Sequence, residues 1–234
     1  MGNLLLNYLE KRDAAREALK NESNLGGPLI TISREAGCNA VELADLIATR
    51  FNTKNPKSKW KVISKEIYQE TAEELQMDPK EVFKVLHKSE KYAFDKVLKA
   101  FSDKHYVSEA KIEKTIKEVI LHNAMDGHCI MVGRAVNIIA KDIKKALHIR
   151  LVAPLEYRVS SIMQSNHLSE EEATEYIDRI DKERKAYRKT LLKDNPNYKL
   201  YNITFDRSVF TDEEIVDILE FSAIKKGLFN RNPD

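Results

Sequence analysis

Leu29-Ile30-Thr31-Ile32-Ser33-Arg34-Glu35-Ala36-Gly37-Cys38-Asn39-Ala40-Val41-Glu42 is the stretch that decides the fold. It reads as a short buried strand, a tight turn carrying one glycine, and a helix opening near Val41. A helix that starts at the carboxyl end of a parallel strand presents unpaired N–H groups and the positive end of its dipole. Ser33 to Ala40 is therefore a candidate anion cradle. The motif GxxxxGK[ST] is matched poorly. Asn39 takes the place of the second glycine, Ala40 that of the lysine, and Glu42 stands near the metal-binding hydroxyl.

Four further apolar runs follow: Trp60 to Ile63, Cys129 to Val132, Leu147 to Val152, and Tyr201 to Thr204. Charged helical stretches separate them, the pattern of a parallel sheet covered on both faces. The expectation is an α/β protein with a five-stranded parallel sheet flanked by helices. Between the second and third runs, Val82, Val85 and Leu86, then Phe94, Val97 and Leu98, then Ile112, Ile116, Val119 and Ile120 recur at helical spacing, which predicts a helical insertion. Ser169 with Glu172 predicts a capped helix running to Lys193, and Thr211 opens a last helix that Gly227 stops. Leu4, Leu5, Tyr8, Leu9, Ala15 and Leu19 predict an amphipathic N-terminal helix, ended by a linker with Gly26-Gly27-Pro28.

The 234 residues carry 39 basic and 37 acidic side chains, a formal charge of +2 that gives no bulk attraction to nucleic acid or anionic membrane. Any anion site must be local. No apolar run approaches the roughly 20 residues of a membrane span. Cys38 and Cys129 lie far apart without metal-ligand spacing, the six histidines share none either, and Met1-Gly2-Asn3 lacks an export signal, so a reducing, cytoplasmic setting is expected. At a helix start, Cys38 is also a candidate for a lowered thiol pKa.

Taken together, Ile30 to Gly37, then Val132-Gly133-Arg134, then Ala153-Pro154-Leu155-Glu156-Tyr157-Arg158, then Asp181-Lys182-Glu183-Arg184, resemble the cytidylate kinase-like family of P-loop proteins, over roughly residues 29–222. The resemblance implies a nucleoside monophosphate kinase-like domain over 29–226, preceded by the helix and linker of 1–28. A monophosphate-binding insertion would lie at about 64–127 and a lid at about 165–198. It further implies transfer of the ATP γ-phosphoryl group to a nucleoside monophosphate such as CMP or dCMP, assisted by Mg2+.

By the same resemblance, Ser33, Arg34, Glu35, Gly37, Cys38, Asn39 and Ala40 would hold ATP; Arg134, Arg158 and Arg184 would be the catalytic cations; and Asp178, Asp181 and Arg188 would bind substrate. No protein metal ligands are expected. The family's loop usually reads Ser-Arg-Glu-x-Gly-Ser-Gly-Gly-Arg; here Cys38-Asn39-Ala40-Val41 replace its last four residues. Ser64 and Ala135 stand where the family carries aspartates. Three readings stay open: an active kinase, a kinase-fold protein that binds a nucleotide or other phosphorylated small molecule without turnover, and an interaction protein that dimerises through its N-terminal helix.

Overall fold

In the computed structural model, which describes residues 26–86, 107–192 and 200–228, strand β1 (Leu29–Arg34) lies at the centre of the sheet. Its alternate residues divide the two faces. Ile30 and Ile32 join the main apolar core, whereas Thr31 and Ser33 meet polar partners on the other side: Thr31 Oγ1 lies 2.8 Å from His148 Nδ1, and Ser33 Oγ donates to Asn137 Oδ1 at 3.3 Å.

The five strands β1, β2 (Lys61–Ile63), β3 (Cys129–Val132), β4 (Ala146–Val152) and β5 (Ile203–Asp206) are all parallel, in the order β2-β3-β1-β4-β5. The chain leaves β1 toward β2 and later leaves β3 toward β4. The carboxyl ends of the neighbouring strands β1 and β3 are therefore the topological switch point, where open α/β sheets bind ligands.

Helix α1 (Ala40–Lys54) covers one face because Leu43, Ala44, Ile47, Ala48 and Phe51 form one buried stripe, and they meet Ile215, Val216 and Leu219 of the last helix in the same core. Between them in sequence come α2 (Glu66–Leu75), α3 (Pro79–Leu86), α4 (Glu109–Asp126), α5 (Val136–Ile139), α6 (Leu155–Asn166) and α7 (Glu170–Leu191); the last is α8 (Asp212–Lys225). The capping box predicted at Ser169 is formed, and Thr211, predicted as a cap, forms one with Glu214. The side chains of Ser169 and Thr211 accept from the N–H of Glu172 and Glu214, and those glutamates accept in return.

Residues 65–122 form a unit of their own, distinct from that of 1–64 and 123–234. Among its described residues only helices occur, and Gln76 in the left-handed region turns the chain between α2 and α3, where Tyr68 and Phe83 meet edge to face at 5.4 Å. The predicted amphipathic helix near residues 4–20 and the run of Phe94, Val97 and Leu98 lie outside the described residues.

The fifth strand begins two residues later than its apolar run suggested. Asn202 bonds the backbone of His148 with both its N–H and its side-chain oxygen, at 2.7 Å each, and Tyr201 turns its hydroxyl to Arg150, so regular pairing starts at Ile203 opposite Ile149. No described helix is long and apolar enough to cross a membrane.

Burial holds His148 down at about 4, against 6.5 for a free histidine, with Lys226 adding to the shift. Its folded value lies below its unfolded one. Its contribution to stability is therefore complete above pH 6.5 and is lost as pH falls toward 4, amounting to about 3 kcal/mol over that window. Urea unfolding of the wild type from pH 7 to 4 should show this acid slope, and His148→Gln should flatten it.

Candidate functional site

The turn after β1 is held from behind. Glu35 N–H donates to Leu151 O at 3.1 Å, Cys38 N–H to Glu35 O at 3.3 Å, and Ala36 N–H to the Asp181 carboxylate at 2.9 Å. Gly37 has φ +88, and a Cβ there would sit 2.7 Å from Arg158 O and 2.8 Å from Arg158 Cα, so the turn admits only glycine at this point. Asn39, the N-cap of α1, makes no side-chain capping bond. The first-turn N–H groups of α1 keep their positive end toward a cavity of about 220 Å3 that the turn, Glu42, Ile162, Tyr176 and Arg184 line.

Beside this turn, at the carboxyl ends of β1 and β3, three guanidinium groups converge. Arg34 extends over Gly133, where any Cβ would collide with its Nη1. Gly133, Arg134 and Ala135 are successively left-handed, with φ of 84, 53 and 52, a sharp turn that delivers Arg134 to the same place. Arg184 of α7 completes the cluster and donates to Arg34 O at 3.2 Å.

Burial, then the charges of Arg184 and Arg134, lower Arg34 to about 9. Burial lowers Arg134 to about 10, with Tyr187 opposing and Arg184 adding. Arg184 is lowered by burial against the pull of Asp181. Among the described residues the Arg34 guanidinium has no ion pair and no hydrogen bond. Like charges held together out of water call for an anion among them.

Arg184 also lies 3.9 Å from the Asp181 carboxylate, which links the cluster to a second group of charges. Arg150 reaches Glu35 at 3.1 Å, the other oxygen of Glu35 lies 3.6 Å from Arg158, and Arg158 pairs with Asp181 at 2.8 Å. Arg158 also donates to Ala153 O, and Arg150 donates to the Tyr201 hydroxyl. This ladder ties β4, the turn, α6 and α7 together.

The sequence-derived candidates thus separate. Arg34, Arg134 and Arg184 come together, with Arg188 close enough to Arg184 to lower it further. Arg158, Asp181 and Glu35 form the ladder. Ser33 is engaged with Asn137, whose amide donates in turn to Leu200 O. Asp178 faces outward and pairs with Lys182.

Cys38 and Ala40 have their side chains in the core, which leaves them only backbone to offer a ligand. Burial first, and Glu35 second, push the Cys38 thiol up to about 11, opposite to the lowering expected at a helix start. Arg150, Tyr176 and Tyr187 were missed. A charge inside the apolar run Ala146–Val152 was the available signal for Arg150, and spacing with Arg184 on one helix face was the signal for the tyrosines.

Among known proteins, the model of the cytidylate kinase-like family matches residues 29–209. No curated protein matches the chain. A solved structure of an uncharacterized protein from Eubacterium ventriosum ATCC 27560 aligns with a TM-score of 0.59 at 17% identity, covering 85% of this chain and 98% of its own, which supports the same fold. TT1252 from Thermus thermophilus aligns at 16% identity with a TM-score of 0.46, over 86% of this chain and 98% of its own.

Proposed function

The chain belongs to the cytidylate kinase-like family, and from that premise we propose that it binds nucleotides at the β1–β3 switch point and transfers the γ-phosphoryl group of ATP to a nucleoside monophosphate such as CMP or dCMP. The observation that carries this reading is the convergence of Arg34, Arg134 and Arg184 beside the uncapped start of α1. Phosphoryl transfer needs positioning and cations around spread negative charge more than it needs covalent help from the protein. The N–H groups at the start of α1 suit the donor phosphates, and the guanidinium cluster suits the transferred group and the acceptor phosphate. Ala135, whose side chain has no hydrogen-bonding atom, leaves the base to be read elsewhere.

A magnesium ion would enter on the ATP phosphates with its waters, not in a cage of protein ligands. Among the described residues no group of three or more His, Cys, Asp or Glu could hold a metal ion. Glu35 and Asp181 are committed to arginines, and Ser33 to Asn137. Charge neutralisation by this chain is the work of its guanidinium groups.

A second reading, binding without turnover, is favoured by Ala40, which packs in the core at the position where the P-loop motif places its lysine. Calorimetry with ATP, CMP, dCMP, UMP and AMP, followed by a coupled phosphotransfer assay, separates the two. Product formation supports the kinase, and saturable binding with no product supports the second reading.

Val41 lies 41% exposed on the cavity wall, where the family's loop carries arginine. Val41→Arg should tighten ATP binding about tenfold by adding one charge-assisted contact. An unchanged Kd would argue that the triphosphate does not lie against α1.

A further inference from the structure

The contacts of the turn show that part of the proposed phosphate site is filled by the chain itself. Ala36 in the turn gives its N–H to Asp181 Oδ1 at 2.9 Å, and the other oxygen of Asp181 takes Arg158 at 2.8 Å. A carboxylate held by a backbone N–H and a guanidinium occupies the kind of position a phosphate oxygen would take. Three more observations fasten α7 down. Arg184 donates to Arg34 O at 3.2 Å. Ala36 is buried in one apolar cluster with Val159 and Ile162 of α6 and Ala173 and Ile177 of α7. Ile162 and Tyr176 wall the cavity, whose 220 Å3 falls below the roughly 300–1,000 Å3 of sites that hold ligands of nucleotide size.

We propose that Asp181 is an intramolecular competitor of the ligand's phosphate, which must displace this carboxylate from Ala36 N–H and Arg158 before the site accepts a nucleotide. The inference rests on the nucleotide-binding reading above and reverses the part that family resemblance gives Asp181, from substrate ligand to occupant of the site. Displacement exposes one backbone donor and releases Nη1 of Arg158, whose Nε stays with Ala153 O and Glu35, and both released donors then serve the incoming phosphate. Apparent ligand affinity is the intrinsic affinity multiplied by the fraction of molecules in which Asp181 has left the turn. Exchange of one anion for another at fixed donors also makes the site insensitive to ligands without a phosphate.

The test is calorimetric titration of the full chain with ATP, comparing wild type with Asp181→Asn, which keeps the shape and removes the charge, and with Asp181→Ala. Glu175→Gln, on the exposed side of α7, serves as control, and thermal unfolding checks that each variant folds. Both Asp181 variants should bind ATP about tenfold more tightly than wild type, while Glu175→Gln equals wild type. Binding by the variants alone, with wild type too weak to measure, also supports the inference. If wild type binds ATP and the Asp181 variants bind equally or more weakly, the competitor role is wrong and the nucleotide site stands. If neither wild type nor variants bind ATP or CMP, the nucleotide reading fails and takes this inference with it.

Discussion

Replacing Arg34 with methionine is expected to weaken binding of ATP and of nucleoside monophosphates by at least about a hundredfold while making the ligand-free chain more stable. Binding falls because a guanidinium that donates two bonds to a phosphate contributes about 3 kcal/mol or more at a site partly withdrawn from water. Stability rises because Arg34 is charged where burial and the neighbouring Arg184 and Arg134 all oppose charge, which lowers it to about 9, well below the ordinary guanidinium range. Its folded value is depressed, so the cost is present in full below about pH 9 and fades as pH rises above it toward the ordinary guanidinium range. After discounting for partial exposure, a gain of about 1–3 kcal/mol in urea unfolding at pH 7 is expected, since methionine fills most of the same volume without a charge. The two readouts move in opposite directions. A guanidinium kept only for structure would lower stability on removal, and a solvated one would move neither quantity.

The second large effect falls on the turn itself. Gly37→Ala adds a Cβ at φ +88, within 2.7–2.9 Å of the Arg158 backbone and Cβ. Backbone on a packed helix cannot step aside as a flexible side chain would, so the turn must open, at a cost of about 3 kcal/mol or more, and the cradle is lost with it. Gly227→Ala is the matched comparison. That residue is also left-handed, at φ +67, but among the described residues no non-adjacent atom lies within 4 Å of its would-be Cβ. It should cost only about 1 kcal/mol and leave ligand binding intact. Denaturant midpoints for the two variants, with ATP titrations on each, separate the strain of a positive φ from the collision that is special to Gly37.

The fold was legible because the apolar runs around Ile30, Ile130 and Ile149 are short, unbroken and separated by charged stretches, which only a sheet buried on both faces demands. Helix ends were legible where a local rule governs them, as at Ser169 with Glu172 and Thr211 with Glu214. The start of β5 was not, because Asn202 substitutes a side-chain amide for regular pairing with His148, a contact across 54 residues.

The site divides in the same way. Arg34, Arg134 and Arg184 could be picked out by resemblance, and the sheet order brings them together. Nothing in the sequence could separate them from Arg158, since that residue's commitment to Asp181 and Glu35 depends on how α6 and α7 seat against the turn. Ala40 shows the same limit. Its position in the motif suggested a lost phosphate contact, whereas its burial beside Cys38 and Leu43 shows that the position faces the core in this chain.

Calorimetric titration of the unmodified chain with ATP and with CMP tests the central claim most directly. Saturable binding of each at one site per chain, abolished by Arg34→Met, is the predicted result. Absence of a saturable signal for both ligands up to about 1 mM, a binding free energy weaker than about −4 kcal/mol, in the unmodified chain and in Asp181→Asn alike would contradict a nucleotide site at the arginine cluster.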